Sequence, residues 1–255
     1  MYRYITDCKA LGATQLDPWN GHLQPLVARD NQLKAAGTPD ASLTPSEKAY
    51  LAQVKAAAQA SGLPFGCLAV DGAHIYEPTA EARALNRAVA YRWLEAAHLL
   101  GAVQMRVDAG GPPEMPPEAF AIIIDGYQDL IARAKALGIE LLIENHWGPS
   151  PIAANLARIL KAAPGLGLLF DSNNFDGDKE AAWAQFAPSA RSVHIKTFSF
   201  DAQGNDPSVD LAKAIRLLAA AGYQGAWGVE SMPEDGDEYE GVRQSFALIR
   251  RVLAG

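Results

Sequence analysis

The sequence predicts a single α/β domain over residues 1–255, built as a (β/α)8 TIM-type barrel that lacks its first strand. Three observations predict this class. The chain of 255 residues is long enough for one such barrel. A helical stretch, a glycine and an apolar run follow one another in that order several times. The apolar runs are short and continuous, which is typical of parallel strands that are buried on both faces.

Glycines and capping residues mark where the predicted helices begin and end. Gly12, Gly101, Gly138 and Gly222 each follow a helical stretch, and glycine adopts the left-handed C-cap conformation without strain. The run Thr44-Pro45-Ser46-Glu47 predicts a capping box with proline at the first helical position. The predicted helices cover about 2–11, 45–60, 79–100, 117–137, 150–162 and 239–253, with shorter ones beginning at Asp178 and after Pro207.

Seven strands are predicted, and a closed barrel of this type has eight. They begin near Ala13, Leu63, Ala102, Ile139, Leu166, Ser192 and Gly225. We interpret the segment 2–11 as a helix, so the first strand is the missing one; a rudimentary strand over Tyr2 to Ile5 is the alternative. A late start codon, a shortened chain or an open barrel each explains the gap. In an open barrel, a loop or another subunit should cover the free edges.

Composition limits the classes of function. A net charge of -7 argues against a broad nucleic-acid-binding face. The two cysteines, Cys8 and Cys67, have no zinc-binding spacing and are predicted to be reduced thiols. No run approaches the length of a membrane span, and no leader-like segment opens the chain. The sequence therefore predicts a soluble cytoplasmic protein with no nucleic-acid or membrane partner, and it allows a homo-oligomer.

Four successive predicted strands each deliver one ionisable side chain near the carboxyl end. These side chains are Glu144, Asp171, His194 and Glu230. Three carboxylates at one place would repel each other without a cation. Oxygen ligands with one imidazole suit Mn²⁺, Mg²⁺, Co²⁺ or Fe²⁺ better than a structural zinc ion. We therefore predict one divalent metal at this end of the barrel, where barrel enzymes build their sites.

The residues around this tetrad resemble those of a known family, the xylose-isomerase-like TIM barrels of the sugar phosphate isomerase/epimerase group. The matching stretches are Ile143 to His146, Phe170 to Asn174, His194 to Lys196 and Gly228 to Ser231. The resemblance implies that the tetrad binds one divalent ion, with Mn²⁺ preferred. It also implies that Glu144 and Glu230 act as the acid/base pair on a keto-sugar or polyol.

The sequence departs from the ketose 3-epimerases of that family at two positions. Asn174 stands where they carry a histidine, and Phe200 stands where they carry an arginine. Lys196 lies two residues beyond His194, so the two share one strand face. This His-x-Lys pattern is similar to that of the inosose dehydratases. Lys196 is therefore a candidate to polarise a carbonyl or protonate a leaving hydroxyl, with a solvated cation at the strand end as the alternative.

Several other residues are candidates for contact with substrate. His146, Trp19, Arg106 and Asn174 are the predicted substrate-binding residues. For His146 the alternative is a helix cap, for Arg106 an ion pair with Asp108, and for Trp19 loop packing. Trp147 is a further candidate for the pocket wall. His22 and His74 are weaker candidates, and His98 is predicted to be structural.

Four functions follow from these residues. The first is a metal-dependent isomerase or epimerase that removes a proton next to a carbonyl, and the second is a dehydratase or lyase of a keto-sugar or inosose-like substrate. The third is an apurinic-site endonuclease, which the five histidines, Asn174 and the acidic charge disfavour. The fourth is a non-catalytic sugar-binding barrel. Metal analysis separates the fourth from the enzymes, and product analysis separates the first two.

Overall fold

The protein is an α/β fold whose parallel sheet forms an incomplete barrel. The structure, a computed structural model, describes residues 1–234 and 236–255. In these residues the sheet has six strands in the order β1-β2-β3-β4-β5-β6, and every pair is parallel. The strands are β1 Cys67–Val70, β2 Gln104–Val107, β3 Glu140–Glu144, β4 Gly167–Asp171, β5 Ala190–Thr197 and β6 Trp227–Ser231. The predicted fold class is therefore confirmed.

Nine α-helices in the described part of the chain surround this sheet. They are α1 Tyr2–Leu11, α2 Gln24–Ala35, α3 Pro45–Ala60, α4 Ala80–Leu100, α5 Pro117–Ala136, α6 Ala153–Ala162, α7 Lys179–Phe186, α8 Leu211–Ala220 and α9 Glu238–Ala254. Two predicted caps are present: Gly12 is left-handed with φ 83°, and Thr44 and Glu47 form a capping box. Within the described ranges, no helix combines the length and apolarity needed to cross a membrane.

The predicted strand beginning near Ala13 is wrong as a regular strand. This segment makes only two isolated bridges, Leu16 to Phe65 and Trp19 to Ala69. The ladder is interrupted because the Cys67 amide donates to the Asp17 carboxylate at 2.7 Å rather than to a backbone carbonyl, and Pro18 has no amide hydrogen. The segment nevertheless covers the β1 edge of the sheet.

The predicted linker over 17–43 contains an unexpected helix, α2. It starts at Gln24-Pro25 without a side-chain cap, so its stability depends on tertiary contacts. Asp30 of this helix accepts hydrogen bonds from Arg92 Nε at 2.8 Å and Trp93 Nε1 at 2.7 Å. Because Arg92 is also bound to Glu47 at 2.6 Å, a buried ion network ties α2 and α3 to α4.

The opposite edge of the sheet borders a large cavity. β6 is only partly buried along its whole length, whereas β1 and β4 are buried throughout. The cavity has a volume of about 910 Å³ and is lined by α1, α9, β6 and the segment 12–17. The predicted absence of a regular strand ahead of Gly12 is confirmed, since α1 occupies those residues.

Candidate active site

Four ionisable side chains converge at the carboxyl ends of neighbouring strands. Glu144, Asp171, His194 and Glu230 each offer one potential ligand atom, and these atoms lie within 4.8 Å of one another. The strand register explains the convergence, because Asp171 is opposite His194 and Lys196 is opposite Glu230. The parallel sheet therefore assembles the predicted tetrad at one end of the barrel.

Asp171 is held so that one carboxylate oxygen is engaged and the other is free. Its Oδ1 accepts the backbone amides of Asn173 at 2.6 Å and Asn174 at 2.9 Å. Its backbone is fixed by Asn145, which accepts from the Asp171 amide at 2.8 Å and donates to the Asp171 carbonyl at 2.9 Å. The buried Oδ2 has no hydrogen-bond partner among the described residues.

Glu144 is almost completely buried, with 1% of its surface exposed. Arg106 Nε lies 2.9 Å from Glu144 Oε2. Asn174 Nδ2 donates to Glu144 Oε1 at 3.3 Å, and His194 Nδ1 lies 3.7 Å from the same oxygen. Arg106 thus fixes one oxygen, and the other faces the centre of the tetrad.

Glu230 is the more accessible of the two glutamates, with 34% of its side chain exposed. Its Oε2 lies 3.3 Å from His194 Nδ1, and its Oε1 lies 2.9 Å from Lys196 Nζ. Lys196 Nζ also donates to Asn174 Oδ1 at 3.2 Å. Lys196 is therefore a buried cation beside the tetrad, and its alternative reading as a solvated strand-end cation is wrong.

Crowding shifts the pKa values of these groups. Burial, together with the Glu144 and Glu230 charges, raises the pKa of Asp171 to about 7. Burial by itself would lower the pKa of His194, but the two glutamates raise it to about 10. Burial would raise the pKa of Glu230, but His194 and Lys196 hold it well below its usual range. The carboxylates of Glu144, Asp171 and Glu230 therefore need a positive charge between them to stay ionised together.

The donor set fits a divalent cation. Asp171 Oδ2 is a buried atom without a hydrogen-bond partner in the described chain, and Glu144 Oε1 and Glu230 Oε2 both face His194 Nδ1. Opposite ligands of an octahedral Mg²⁺ ion are about 4.2 Å apart, twice the usual bond length. Since the candidate ligand atoms span at most 4.8 Å, a small contraction suffices for coordination.

The predicted substrate-binding residues lie in different places. Asn174 bridges Glu144 and Lys196. Arg106 is 5% exposed and paired with three carboxylates, so the predicted ion pair with Asp108 is present at 3.0 Å. His146 and Trp19 are both partly open to solvent. Trp19 lies beside β1 and pairs with Ala69, outside the tetrad.

The remaining aromatic and histidine candidates also have defined partners. Trp147 is 40% exposed and packs edge-on against His74 with ring centres 4.9 Å apart. His74 lies 2.6 Å from Glu77. His22 stacks on Tyr4 at 4.5 Å, and His98 Nδ1 lies 2.9 Å from the Leu137 carbonyl, in keeping with its predicted structural role. None of these four residues belongs to the tetrad.

Two polar residues at the site, Asn145 and Asp17, were given no role from the sequence, and Asp108 was predicted only as an ion-pair partner of Arg106. Asn145 clamps β3 to β4, and its position directly after Glu144 was the available signal. Asp108 joins Arg106, His146 and Trp147 through its Oδ2. Asp17 is half-buried next to Cys67, and desolvation raises its pKa. The contacts of Asn145 with Asp171, of Asp17 with Cys67 and of Asp108 with Trp147 join residues that are distant in sequence, so spacing alone could not identify them.

Comparison with known proteins places this geometry in context. A family model described as "Xylose isomerase-like TIM barrel" matches residues 6–252. No curated protein sequence matches the chain.

Solved structures of several proteins share the fold. The 3-keto-D-glucoside 4-epimerase of E. coli has a TM-score of 0.71 at 19% identity, with 98% of this chain and 92% of that chain covered. A xylose isomerase-like TIM barrel protein of Mycobacterium smegmatis, in complex with magnesium, has a TM-score of 0.69 at 18% identity, with 99% of this chain and 88% of that chain covered. The probable 3-DHS dehydratase of Bacillus anthracis has a TM-score of 0.68 at 11% identity, with 100% of this chain and 93% of that chain covered. At these identities the likeness establishes the fold.

Proposed function

The chain belongs to the xylose isomerase-like TIM barrel family, and from that premise we propose that it is a divalent-metal-dependent isomerase or epimerase of a keto-sugar or polyol. One observation carries the proposal. Glu144 and Glu230 approach the same atom, His194 Nδ1, at 3.7 and 3.3 Å. Two carboxylates beside one ligand position, bound to a substrate from opposite faces, would remove a proton from one face of a carbon and return one to the other.

The two glutamates differ in their hydrogen-bond and ion-pair contacts and in their exposure. Arg106 and His194 oppose the effect of burial and lower the pKa of Glu144, and Glu144 is fixed from two sides. Glu230 lies on the partly exposed β6 and is held by His194 and Lys196. Both are ionised at neutral pH, as a base must be. The substrate carbon would lie between them, next to a carbonyl.

The reaction generates negative charge on the carbonyl oxygen, which has to be stabilised. Glu144, Asp171, His194 and Glu230 would hold a divalent ion, which would supply Lewis-acid stabilisation of that charge. Lys196 is the protein's own donor, because its Nζ is buried and faces the Glu230 carboxylate. It can donate a hydrogen bond to the oxygen as charge develops there.

A dehydratase or lyase is the second candidate, and Lys196 is the observation that favours it. A buried ammonium beside the acid/base pair can protonate a departing hydroxyl after the same proton abstraction. Among the similar structures are a named epimerase and a named probable dehydratase, so the fold is compatible with both. Mass spectrometry of the product separates them, because epimerisation conserves mass and elimination releases water.

Metal dependence is the first expected result. We expect one divalent ion per chain after add-back of Mn²⁺, Mg²⁺ or Co²⁺ to chelated protein. Binding to the folded state alone would stabilise it by about 2.7 kcal/mol when the metal is at 100 times its Kd. Elemental analysis and thermal unfolding measure this, with turnover of a keto-sugar panel measured alongside.

The matched variants for this experiment are Asp171→Asn and Asp125→Asn. Asp171 contributes a buried unpaired oxygen to the tetrad, whereas Asp125 is exposed on α5. Asp171→Asn should abolish the thermal response to metal and Asp125→Asn should retain it. A wild-type protein that holds no metal and responds to none of the three ions would contradict the proposal and favour a non-catalytic barrel.

Three narrower statements remain predictions. They are the preference for Mn²⁺, a cytoplasmic location and a homo-oligomer. The first is measured by comparing turnover with the three ions, and the last by light scattering.

A further inference from the structure

A second polar cluster lies beside the tetrad and has no part in the proton transfer described above. Its centre is Asp108, which directly follows β2 and is 2% exposed. Asp108 Oδ2 accepts from Trp147 Nε1 at 2.8 Å and lies 3.1 Å from His146 Nδ1. Arg106 Nη1 donates to the same oxygen at 3.0 Å. Because Arg106 also contacts Glu144, the two clusters are adjacent.

The contacts with Asp108 decide what this cluster offers to a ligand. The indole N–H of Trp147 is already donated to Asp108, so its 40% exposed surface is ring face. His146 Nδ1 faces Asp108, so Nε2 is the ring nitrogen left for a ligand, and the side chain is 31% exposed. No described residue hydrogen-bonds to this Nε2. An aromatic face with an adjacent polar ring nitrogen suits the C–H face and a hydroxyl of a sugar, since a hydroxyl can donate or accept.

The buried oxygen Asp108 Oδ1 is a second indication of a polar ligand. It has no hydrogen-bond partner among the described residues. A buried carboxylate oxygen without a donor is costly, and a hydroxyl of a ligand or an ordered water could satisfy it. The cluster thus offers two polar atoms to a ligand hydroxyl, Asp108 Oδ1 and His146 Nε2, and its Arg106 guanidinium is already paired.

The charge of the surroundings distinguishes neutral from anionic ligands. The two clusters contain five carboxylates, from Asp71, Asp108, Glu144, Asp171 and Glu230, and two side-chain cations, Arg106 and Lys196. Both cations are paired with these carboxylates. No cation of these two clusters is left unpaired to receive an anionic group. A phosphate, which carries close to two negative charges at pH 7, would be repelled here, whereas a neutral polyol would not.

We propose that Asp108, His146 and Trp147 form a hydroxyl-binding subsite for an uncharged keto-sugar or glycoside, and that the subsite discriminates against the phosphorylated form. This rests on the proposed function in one respect, that the reacting carbon lies at the neighbouring tetrad. Asp108 positions the other two side chains through its Oδ2 and accepts a sugar hydroxyl at its Oδ1, and His146 and Trp147 contact the sugar.

Ligand-detected NMR of the Mg²⁺-supplemented full chain tests the subsite. The probes are D-fructose, D-tagatose and D-xylulose, each paired with its terminal phosphate. At least one neutral ketose should bind, and its phosphate should bind at least about tenfold more weakly. Absence of binding by all three neutral ketoses, or equal or tighter binding of the phosphates, would overturn the proposal.

Three variants locate the binding. His146→Gln and Trp147→Ala, both at partly exposed positions, should raise the ketose Kd about tenfold, while His98→Gln, an exposed histidine bonded to a backbone carbonyl, should leave it unchanged. Magnesium affinity should be the same in all three. Unchanged ketose binding in both subsite variants would contradict the assignment. Solvent exchange at the substrate carbon is measured separately, so ketose binding without exchange would contradict only the proposed reaction.

Discussion

Glu230→Gln is expected to lower turnover by about 10²–10⁴-fold, the usual contribution of a positioned acid or base. An amide cannot accept the proton from the substrate carbon. The substitution also removes a negative charge that lies 3.3 Å from His194 Nδ1 and 2.9 Å from Lys196 Nζ. Turnover is therefore measured at saturating Mn²⁺, with the bound metal determined for the same sample.

Two comparisons separate proton transfer from metal loss. Glu118→Gln, at an exposed position in the first turn of α5, should retain wild-type turnover. In Glu230→Gln, the loss of turnover should persist when metal occupancy has been restored to one ion per chain. Wild-type turnover in a fully loaded Glu230→Gln protein would exclude Glu230 as acid or base.

Lys196→Met is expected to reduce turnover by at least about 10²-fold without removing the metal. Lys196 is 8% exposed, and its ammonium group contacts Glu230 and Asn174. Burial would lower its pKa, but Asp171 and Glu230 raise it, so the side chain stays protonated and can donate to the substrate. Methionine retains the length and apolar packing of the side chain and removes only the donor.

Measuring bound metal in Lys196→Met separates loss of the lysine donor from loss of the metal. Removing a cation from the carboxylate cluster should leave the affinity for Mn²⁺ equal to or higher than that of the wild type. Lys48→Met removes a surface lysine that pairs with Glu95 at 2.8 Å, and it should be neutral for turnover. A Lys196→Met protein with full turnover, or one that no longer binds metal, would contradict the assigned role.

The helices were the most predictable part of the fold, because their ends carry local signals. Thr44 and Glu47 form the capping box that their spacing predicts, and Gly12 ends α1 as expected. The opposite case is α2, which has no side-chain cap. It depends on the buried contact between Asp30 and Arg92, which are far apart in the chain. Local patterns contain no information on such a contact.

The strands show the same division between local and long-range determinants. β3 and β4 begin within about one residue of their predicted first residues. The strand beginning near Ala13 does not form a ladder, because the Asp17 side chain replaces a backbone acceptor. The predicted strand near Leu63 starts only at Cys67, since Pro64 cannot donate to a ladder.

The convergence of the tetrad was predictable, whereas its supporting contacts were not. Parallel strands end on one side of the barrel, so Glu144, Asp171 and their partners had to meet. The clamp made by Asn145 and the contacts of Asp108 depend on side-chain directions at the ends of different strands. These contacts emerge only once the strands have been packed together.

Deuterium incorporation from solvent tests the central claim most directly. The metal-supplemented protein is incubated in D₂O with the keto-sugar it turns over, and the product is analysed by NMR and mass spectrometry. Proton abstraction by Glu144 or Glu230 predicts one deuterium at the carbon beside the carbonyl if the reaction is an epimerisation, and cleavage of that C–H bond with loss of water if it is an elimination. A substrate that is turned over with neither exchange nor C–H cleavage at that carbon would contradict the account and point to metal-assisted hydrolysis on the same four side chains.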